Sequence, residues 1–176
     1  MSIVRHYQNC VRDFHLRNGY PSGKRIDLEP VKSTTYFKMV NLRLELLNSV
    51  VSLMCKLFQG VANRAQKEGD PRLYRALLHL EEAAEVCDAL SKRDDVALAD
   101  GLGDLAYVTY GTADCYSIPM YEVFTEIHEA NMSKKVRTSV DPRMRDKGNW
   151  SPPDIHRALM HGRNNDPHYS ARSGRC

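Results

Sequence analysis

Apolar residues recur at three- and four-residue steps along most of this chain, and the sequence contains no convincing alternation of the kind found in strands. The longest stripe comprises Leu42, Leu46, Val50, Leu53 and Leu57. Two further stripes follow: Leu73, Leu77, Leu80, Ala84 and Cys87, then Leu98, Leu102, Leu105 and Thr109. The spacing predicts an all-α protein.

Capping and stop signals place the helix boundaries. Asn18-Gly19 ends a first helix, Asp70-Pro71 starts a third, and Asp94-Asp95 starts a fourth. We therefore predict five helices: 3–17, 36–65, a third that begins at 71, 95–116 and 120–135. A short sixth helix is predicted at 153–160. Short loops after the third and fourth helices favour an antiparallel bundle of four to five helices. We assign the bundle to residues 1–136 and an irregular basic tail to 137–176.

Composition narrows the function classes. The 176 residues suit one domain, and the net charge of +3 divides into +4 from Arg137 onward and −1 before it. A basic tail of this kind is most simply solvated, and it lacks interleaved aromatic residues, so we do not expect nucleic-acid binding.

Two features bear on the compartment. The five cysteines are scattered without a CxxC pair, which we interpret as small buried thiols in a reducing compartment. The first fifteen residues lack the apolar core of a signal peptide, and no uninterrupted apolar run reaches the ~18 residues of a membrane span. We expect a cytoplasmic protein without a membrane segment.

Four carboxylates on two neighbouring predicted helices are the candidate functional groups. Glu82 and Glu85 lie three residues apart, and Asp100 and Asp104 lie one turn apart on the next helix. The ordinary explanation is a solvated face, but Ala89 and Val108 share these faces, which are therefore not uniformly polar. Carboxylates presented by rigid helices also suit Mg²⁺.

The stretch 75–135 resembles the MazG-like nucleoside triphosphate pyrophosphohydrolases. Their pattern is ExxE on one helix, ExxD on the next, and an ANMSK-like string that ends a later helix. The chain has Glu82-x-x-Glu85, then LGDLAYVTYGTA, then EIHEANMSK, in that order. VRDFHLRNGYP and WSPPDI resemble flanks of phage-type members. The core resemblance covers about a third of the chain.

The resemblance implies Mg²⁺-dependent hydrolysis of an NTP or dNTP to a nucleoside monophosphate and pyrophosphate, with Mn²⁺ as an alternative metal. Glu82, Glu85 and Asp104 would hold the metal, and one of the two glutamates would accept a proton from water. Asn131 and Lys134 would contact substrate. The resemblance also implies a homodimer or larger oligomer, since the bundle is completed between subunits. From its place two turns before Glu82, Arg75 would either pair with that residue or reach a phosphate.

One position departs from the pattern. Gly101 stands where the second motif has a glutamate, and Asp100 is the candidate to compensate as a metal ligand. Glycines 101 and 103 weaken the helix by roughly 1 kcal/mol each relative to alanine, so Gly101→Glu is expected to stabilise it. Two alternatives stay open. One is a catalytically impaired homologue that binds nucleotide or protein, and the other is a purely structural helical module.

Overall fold

The computed structural model describes residues 3–20, 22, 34–134 and 150–165. Within these ranges the chain forms six helices and no strand. They are α1 (Ile3–Arg17), α2 (Thr34–Lys67), α3 (Arg72–Lys92), α4 (Asp95–Cys115), α5 (Met120–Ser133) and α6 (Ile155–Asn165). The predicted all-α fold is confirmed.

Local capping explains most of these boundaries. The Asp94 carboxylate accepts hydrogen bonds from the backbone N–H groups of Val96 and Ala97, both at 3.0 Å, and so caps α4 as predicted. Gly19 follows α1 with φ of +67°, a conformation that glycine adopts without strain. Several ends differ from the prediction by two residues or more. Helix α2 is longer than 36–65 by two residues at each end, and α5 stops at Ser133 because Lys134 is extended. Helix α6 begins at Ile155 and continues to Asn165.

The helices belong to two compact units. One contains α2, α3 and α4, and the other contains α1, α5 and α6. The predicted division into a bundle over 1–136 and a tail over 137–176 does not follow these units, because α5 packs with α1 and with α6. We call them the α2–α4 unit and the α1–α5–α6 unit.

In the α2–α4 unit, α3 packs against α2 on one side and α4 on the other. Between α2 and α3 the buried residues are Cys55, Ala62 and Leu77, surrounded by Val51, Leu73 and Tyr74. The other buried residues on α3 and α4 are small or medium-sized: Ala84, Ala89, Ser91, Gly101, Val108 and Ala113. Small side chains allow the helix axes to approach closely.

The leucines of the α2 and α4 stripes do not form this core, whereas Leu77 and Ala84 of the α3 stripe are buried in it. Leu42, Leu46 and Leu57 on α2 remain 65%, 61% and 65% exposed, and Leu102 on α4 remains 51% exposed. Helix α3 covers the Cys55–Ala62 face of α2 instead. The longest apolar stripe of the sequence therefore lies uncovered on the surface of this unit.

Helix α2 also carries the most apolar window among the described residues. Lys38–Lys67 is long and apolar enough, by length and composition alone, to cross a membrane, with a mean hydropathy of 1.2 over 18 residues. We expected no such segment because polar residues interrupt every apolar run. The mean hydropathy over 18 residues averages over those polar residues. A single helix of this kind is weak evidence for a membrane span.

In the α1–α5–α6 unit, aromatic and polar contacts join the helices. The rings of Tyr7 on α1 and Phe124 on α5 lie 4.4 Å apart, and the Arg17 guanidinium donates to the backbone carbonyl of Met132. Helix α6 packs against α5, where Gly162 meets Pro119 so closely that a Cβ would lie 2.2 Å from the proline Cβ.

The prediction that every cysteine is a free thiol is wrong for Cys115, which is disulfide-bonded. Cys10, Cys55 and Cys87 are free. Burial raises the pKa of the Cys55 thiol, and the nearby charge of Glu81 raises it further. Among the described cysteines, Cys55 is thus the buried, unreactive thiol that the sequence predicted.

Candidate metal centre and active site

Three carboxylates from two helices converge in the α2–α4 unit. Glu82 and Glu85 on α3 and Asp104 on α4 each present an oxygen, and these three oxygens lie within 4.8 Å of one another. Glu82 is half-buried, whereas Glu85 and Asp104 are exposed. The structure thus brings together the three residues that the sequence predicted as metal ligands, and we call them the acid triplet.

The register between α3 and α4 explains this convergence. Val86 lies opposite Gly101, and the His79 ring lies opposite Thr112, with His79 Nε2 3.0 Å from Thr112 Oγ1. Residue numbers fall along α3 as they rise along α4, so the two helices are antiparallel. The same register places Asp104 beside Glu82 and Glu85.

Burial and nearby negative charge both act on Glu82 of the acid triplet. The pKa of Glu82 is raised, first by burial of its carboxyl group and then by the negative charges of Glu85 and Asp104. Among the described residues, no lysine or arginine forms an ion pair with a member of the triplet. Within the described part of the chain, the acid triplet therefore has no basic side chain as a counter-charge.

Two further acids surround the acid triplet. Glu81 and Asp100 add smaller contributions to the raised pKa of Glu82. Asp100 is exposed and lies outside the set of oxygens that could share one ion in this conformation. Its predicted role as a replacement ligand for the glutamate absent at 101 stays a prediction.

A polar row continues from the acid triplet along the α3–α4 interface. Thr112 Oγ1 donates to the Val108 carbonyl, so its oxygen accepts from His79 Nε2, and this hydrogen bond satisfies His79 at the interface. One turn further, Arg75 Nη2 lies 2.9 Å from Cys115 Sγ. Arg75 does not pair with Glu82, and its predicted contact with substrate stays a prediction.

A polar groove lies on the other side of α3. It encloses about 380 Å³ between α2 and α3 and is bordered by Asn48, Ser52, Lys56, Gln59, Glu81 and Glu85. Glu85 belongs both to this groove and to the acid triplet, so the two features adjoin. Sequence analysis missed the groove because its polar residues on α2 match no motif. In the sequence, these polar residues are marked only by their position on the face of α2 opposite the leucine stripe.

Asn131 and Lys134 belong to the other unit. Lys134 Nζ donates to Asn131 Oδ1 at 2.6 Å, and both residues are half-buried at the end of α5. The structure therefore pairs the two residues of the NMSK string with each other. Their predicted contact with substrate stays a prediction.

Comparison with known families adds one finding. Residues 55–131 match the family model described as phosphoribosyl-ATP pyrophosphohydrolase. The match covers less than half of the chain, and this segment is similar to MazG-like, all-α pyrophosphohydrolase-type domains. The matched range contains the acid triplet and Gly101 and ends at Asn131. No curated protein matches the chain, and no solved structure matches it either.

At Gly101, within the matched segment, α4 comes close to α3. It is buried, and a Cβ built there would lie 3.2 Å from Val86 Cγ2 and 3.4 Å from the Val86 backbone nitrogen. Gly103, two residues along the same helix, has no heavy atom within 4 Å of such a Cβ. The structure therefore changes the expectation that any side chain at 101 stabilises α4.

We expect Gly103→Ala to raise the free energy of unfolding by about 1 kcal/mol, because alanine is the better helix former and meets nothing there. Gly101→Ala should give no gain, since Val86 must shift to admit the new methyl group. Urea denaturation of both variants, without metal, measures the difference. Equal gains would show that the α3–α4 contact at Gly101 is loose.

The raised pKa of Glu82 predicts a pH-dependent stability. The folded protein binds this proton more tightly than the unfolded chain, so the contribution is fully present below the ordinary pKa of 4.5 and is lost as pH rises through the folded value. Glu82→Gln should therefore be more stable than the unsubstituted protein at pH 7 in EDTA, and equally stable near pH 4. Thermal unfolding across pH tests this, with the exposed Glu45→Gln as control. An identical pH profile for both variants would contradict it.

Proposed function

We propose that the protein hydrolyses nucleoside triphosphates between the α- and β-phosphates, giving a nucleoside monophosphate and pyrophosphate in a Mg²⁺-dependent reaction. The observation that carries the proposal is the acid triplet, which lies inside the segment that matches a pyrophosphohydrolase family model. The match indicates a pyrophosphohydrolase, while the choice of an NTP or dNTP and the need for Mg²⁺ are our proposals.

The donor set fits Mg²⁺. Three carboxylate oxygens within 4.8 Å of one another suit a hard cation whose ligand oxygens lie about 2.1 Å away. Burial and the negative charges of Glu85 and Asp104 raise the pKa of Glu82, and a bound cation would offset those charges. Mn²⁺, which also takes carboxylate and water ligands, is the expected substitute.

The chain's own residues then have distinct roles. Glu82, Glu85 and Asp104 hold the metal, and either glutamate can accept the proton of the attacking water. When bound, Mg²⁺ neutralises phosphate oxygens and lowers the pKa of water in its coordination sphere. Amide and hydroxyl groups of α2 in the adjoining groove would contact the sugar or base, and the nucleoside would then lie beside Glu85.

The matched family, described as phosphoribosyl-ATP pyrophosphohydrolase, also guides which substrates should be assayed. Phosphoribosyl-ATP shares its triphosphate with simple nucleotides, and release of pyrophosphate leaves the substituted base unchanged. A panel of NTPs, dNTPs and phosphoribosyl-ATP therefore separates a requirement for the triphosphate from a requirement for the substituent. An impaired homologue that only binds nucleotide is the alternative, and Gly101 is the observation that favours it.

We expect pyrophosphate release from at least one nucleotide of the panel with Mg²⁺, and none in EDTA. Glu82→Gln and Asp104→Asn should each lower kcat/KM by at least about 100-fold, because each removes a charged ligand worth roughly 3 kcal/mol to the transition state. Glu45→Gln, on α2 and outside the acid triplet, is the matched control.

Activity that persists in EDTA would contradict the metal requirement. An inactive protein whose thermal unfolding midpoint still rises with nucleotide and Mg²⁺ would favour the impaired homologue.

Two further variants test which residue, if any, replaces the carboxylate that is absent at position 101. If Asp100 compensates, Asp100→Asn abolishes activity and Gly101→Glu adds little. If no residue compensates, Gly101→Glu raises activity despite the crowding at Val86.

We also propose that the exposed stripe of α2 binds a second copy of the chain. The α2–α4 unit has only three helices, and ten large apolar residues on α2, between Met39 and Val61, are more than two-fifths exposed. Burial of a leucine contributes about 1.5–3 kcal/mol, so a shared stripe offsets the cost of association. The resemblance to enzymes whose bundle is completed between subunits favours a symmetric homodimer over other occupants.

Light scattering at micromolar concentration should give the mass of a dimer or larger oligomer. Leu46→Glu places a charge in the stripe and should yield monomers, whereas Asn63→Glu adds the same charge on another face of α2 and should not. A monodisperse monomer for the unsubstituted protein would contradict the proposal.

A further inference from the structure

A chain of hydrogen bonds at the groove between α2 and α3 fixes which of its polar atoms donate and which accept. The Asp88 carboxylate on α3 accepts from Lys92 Nζ and, at 3.2 Å, from Asn48 Nδ2 on α2. Because an ionised carboxylate only accepts, the amide nitrogen of Asn48 must face it and the amide oxygen must point elsewhere. That oxygen, Asn48 Oδ1, lies 3.2 Å from Ser52 Oγ. An amide oxygen cannot donate, so the Ser52 hydroxyl donates its single proton to Asn48.

Ser52 therefore meets a ligand as an acceptor. A hydroxyl has one proton and two lone pairs, and the proton of Ser52 is already used. The residue is half-buried and borders the groove, so its lone pairs are within reach of a bound molecule. Ser52 Oγ can thus accept a hydrogen bond from a ligand without breaking the bonds that orient it.

The packing of α2 on α3 shows which part of α3 lies opposite Ser52. Asn48 contacts Asp88, whereas Cys55 Sγ lies 3.8 Å from the backbone carbonyl oxygen of Leu77. Residue numbers fall along α3 as they rise along α2, so the two helices are antiparallel. Ser52 lies between Asn48 and Cys55 and therefore faces the middle of the α3 stretch between Leu77 and Asp88.

Glu81 lies near the middle of that stretch and supplies a second acceptor. It borders the same groove as Ser52. Burial raises the pKa of the Cys55 thiol and the negative charge of Glu81 raises it further, so this carboxylate lies close to the facing part of α2. Within the described part of the chain, Glu81 forms no ion pair. The two walls of the groove thus each present an acceptor, Ser52 Oγ from α2 and the Glu81 carboxylate from α3.

A ribose is the part of a nucleotide that fits two acceptors. Its 2′- and 3′-hydroxyls can both donate, whereas a base edge carries acceptors beside any amino group. Carboxylates also bind ribose hydroxyls in dinucleotide-binding folds. The groove encloses about 380 Å³, which is within the range of small-ligand sites, and it adjoins the acid triplet at Glu85. The exposed Lys56 at its border can face an acceptor of the base.

We propose that Ser52 and Glu81 accept hydrogen bonds from the two sugar hydroxyls of a ribonucleotide, an inference that rests on the proposed function and narrows its substrate class. The preferred substrates are then ribonucleoside triphosphates, and 2′-deoxy and 3′-deoxy analogues are poor ones. Ser52 and Glu81 determine specificity for the sugar and contact neither the metal nor the reacting phosphates.

Steady-state kinetics with Mg²⁺ test the preference on the unsubstituted protein. Each of ATP, GTP, CTP and UTP should exceed its 2′-deoxy and 3′-deoxy analogues in kcat/KM by about 10-fold, because a missing hydroxyl leaves an acceptor of the site unpaired. Analogues with fluorine in place of either hydroxyl test the direction of the hydrogen bonds. Fluorine cannot donate, so these analogues should be as poor as the deoxy ones.

Variants of α2 connect the preference to Ser52. Ser52→Ala should lose most of the preference over one of the two deoxy analogues, and Ser52→Thr, which keeps the hydroxyl, should retain it. Ser49→Ala is the matched control, because the Ser49 hydroxyl donates to the backbone carbonyl of Glu45 and does not border the groove. Both of its preferences should equal those of the unsubstituted protein.

Thermal unfolding with Mg²⁺ and α,β-methylene ATP, or its two deoxy analogues, ranks the same ligands without turnover. A ribose preference in binding that Ser52→Ala removes, without pyrophosphate release, would support the sugar contact while the proposed activity fails. Neither binding nor hydrolysis would contradict both.

Other outcomes overturn the sugar contact alone. Equal kcat/KM for ribose and deoxyribose substrates would do so while the proposed function stands, and so would fluoro analogues that match the ribonucleotides. A loss in Ser52→Ala that is larger for ATP than for ITP, with the sugar preference unchanged, would assign the acceptor to the amino group of the base instead.

Discussion

The close contact between α3 and α4 at Gly101 is the constraint on which the candidate site depends. With no side chain at 101, the backbone of α4 lies directly against Val86, and the small buried residues along both helices keep that spacing. This contact sets the register, which then places Asp104 beside Glu82 and Glu85. A register shifted by one turn would separate the carboxylates by about 5 Å and leave each of them solvated.

The same glycine creates a conflict between packing and chemistry. The family pattern has a metal-binding glutamate at this position, and here the position is used for contact between helices. Burial raises the pKa of Glu82, the negative charges of Glu85 and Asp104 raise it further, and a divalent cation would offset those charges. If the acid triplet binds such a cation, substitutions there would change both stability and metal affinity.

The apolar residues of the α2–α4 unit are likewise divided between internal contacts and exposed surface. Small residues are buried between the helices of the α2–α4 unit, and the large residues of the α2 stripe are exposed. The small side chains therefore make the contacts within this unit, and the large ones on α2 remain available for contact with another surface. In the α1–α5–α6 unit, by contrast, aromatic and polar contacts join the helices, and Lys134 Nζ lies 5.3 Å from the centre of the Trp150 ring.

The sequence by itself determined the features that depend on near neighbours along the chain. Helix periodicity, the Asp94 cap and the shared face of Glu82 and Glu85 all follow from spacings of three or four residues, and the family motifs identified the three carboxylates of the acid triplet. Only the tertiary structure decided which helix faces meet. It buried Cys55 and Ala62 where the pattern favoured the leucines, and it brought Asn131, Lys134 and Trp150 together. The physical reason is that periodicity specifies which residues share a face, whereas close packing between distant segments selects the face that is buried.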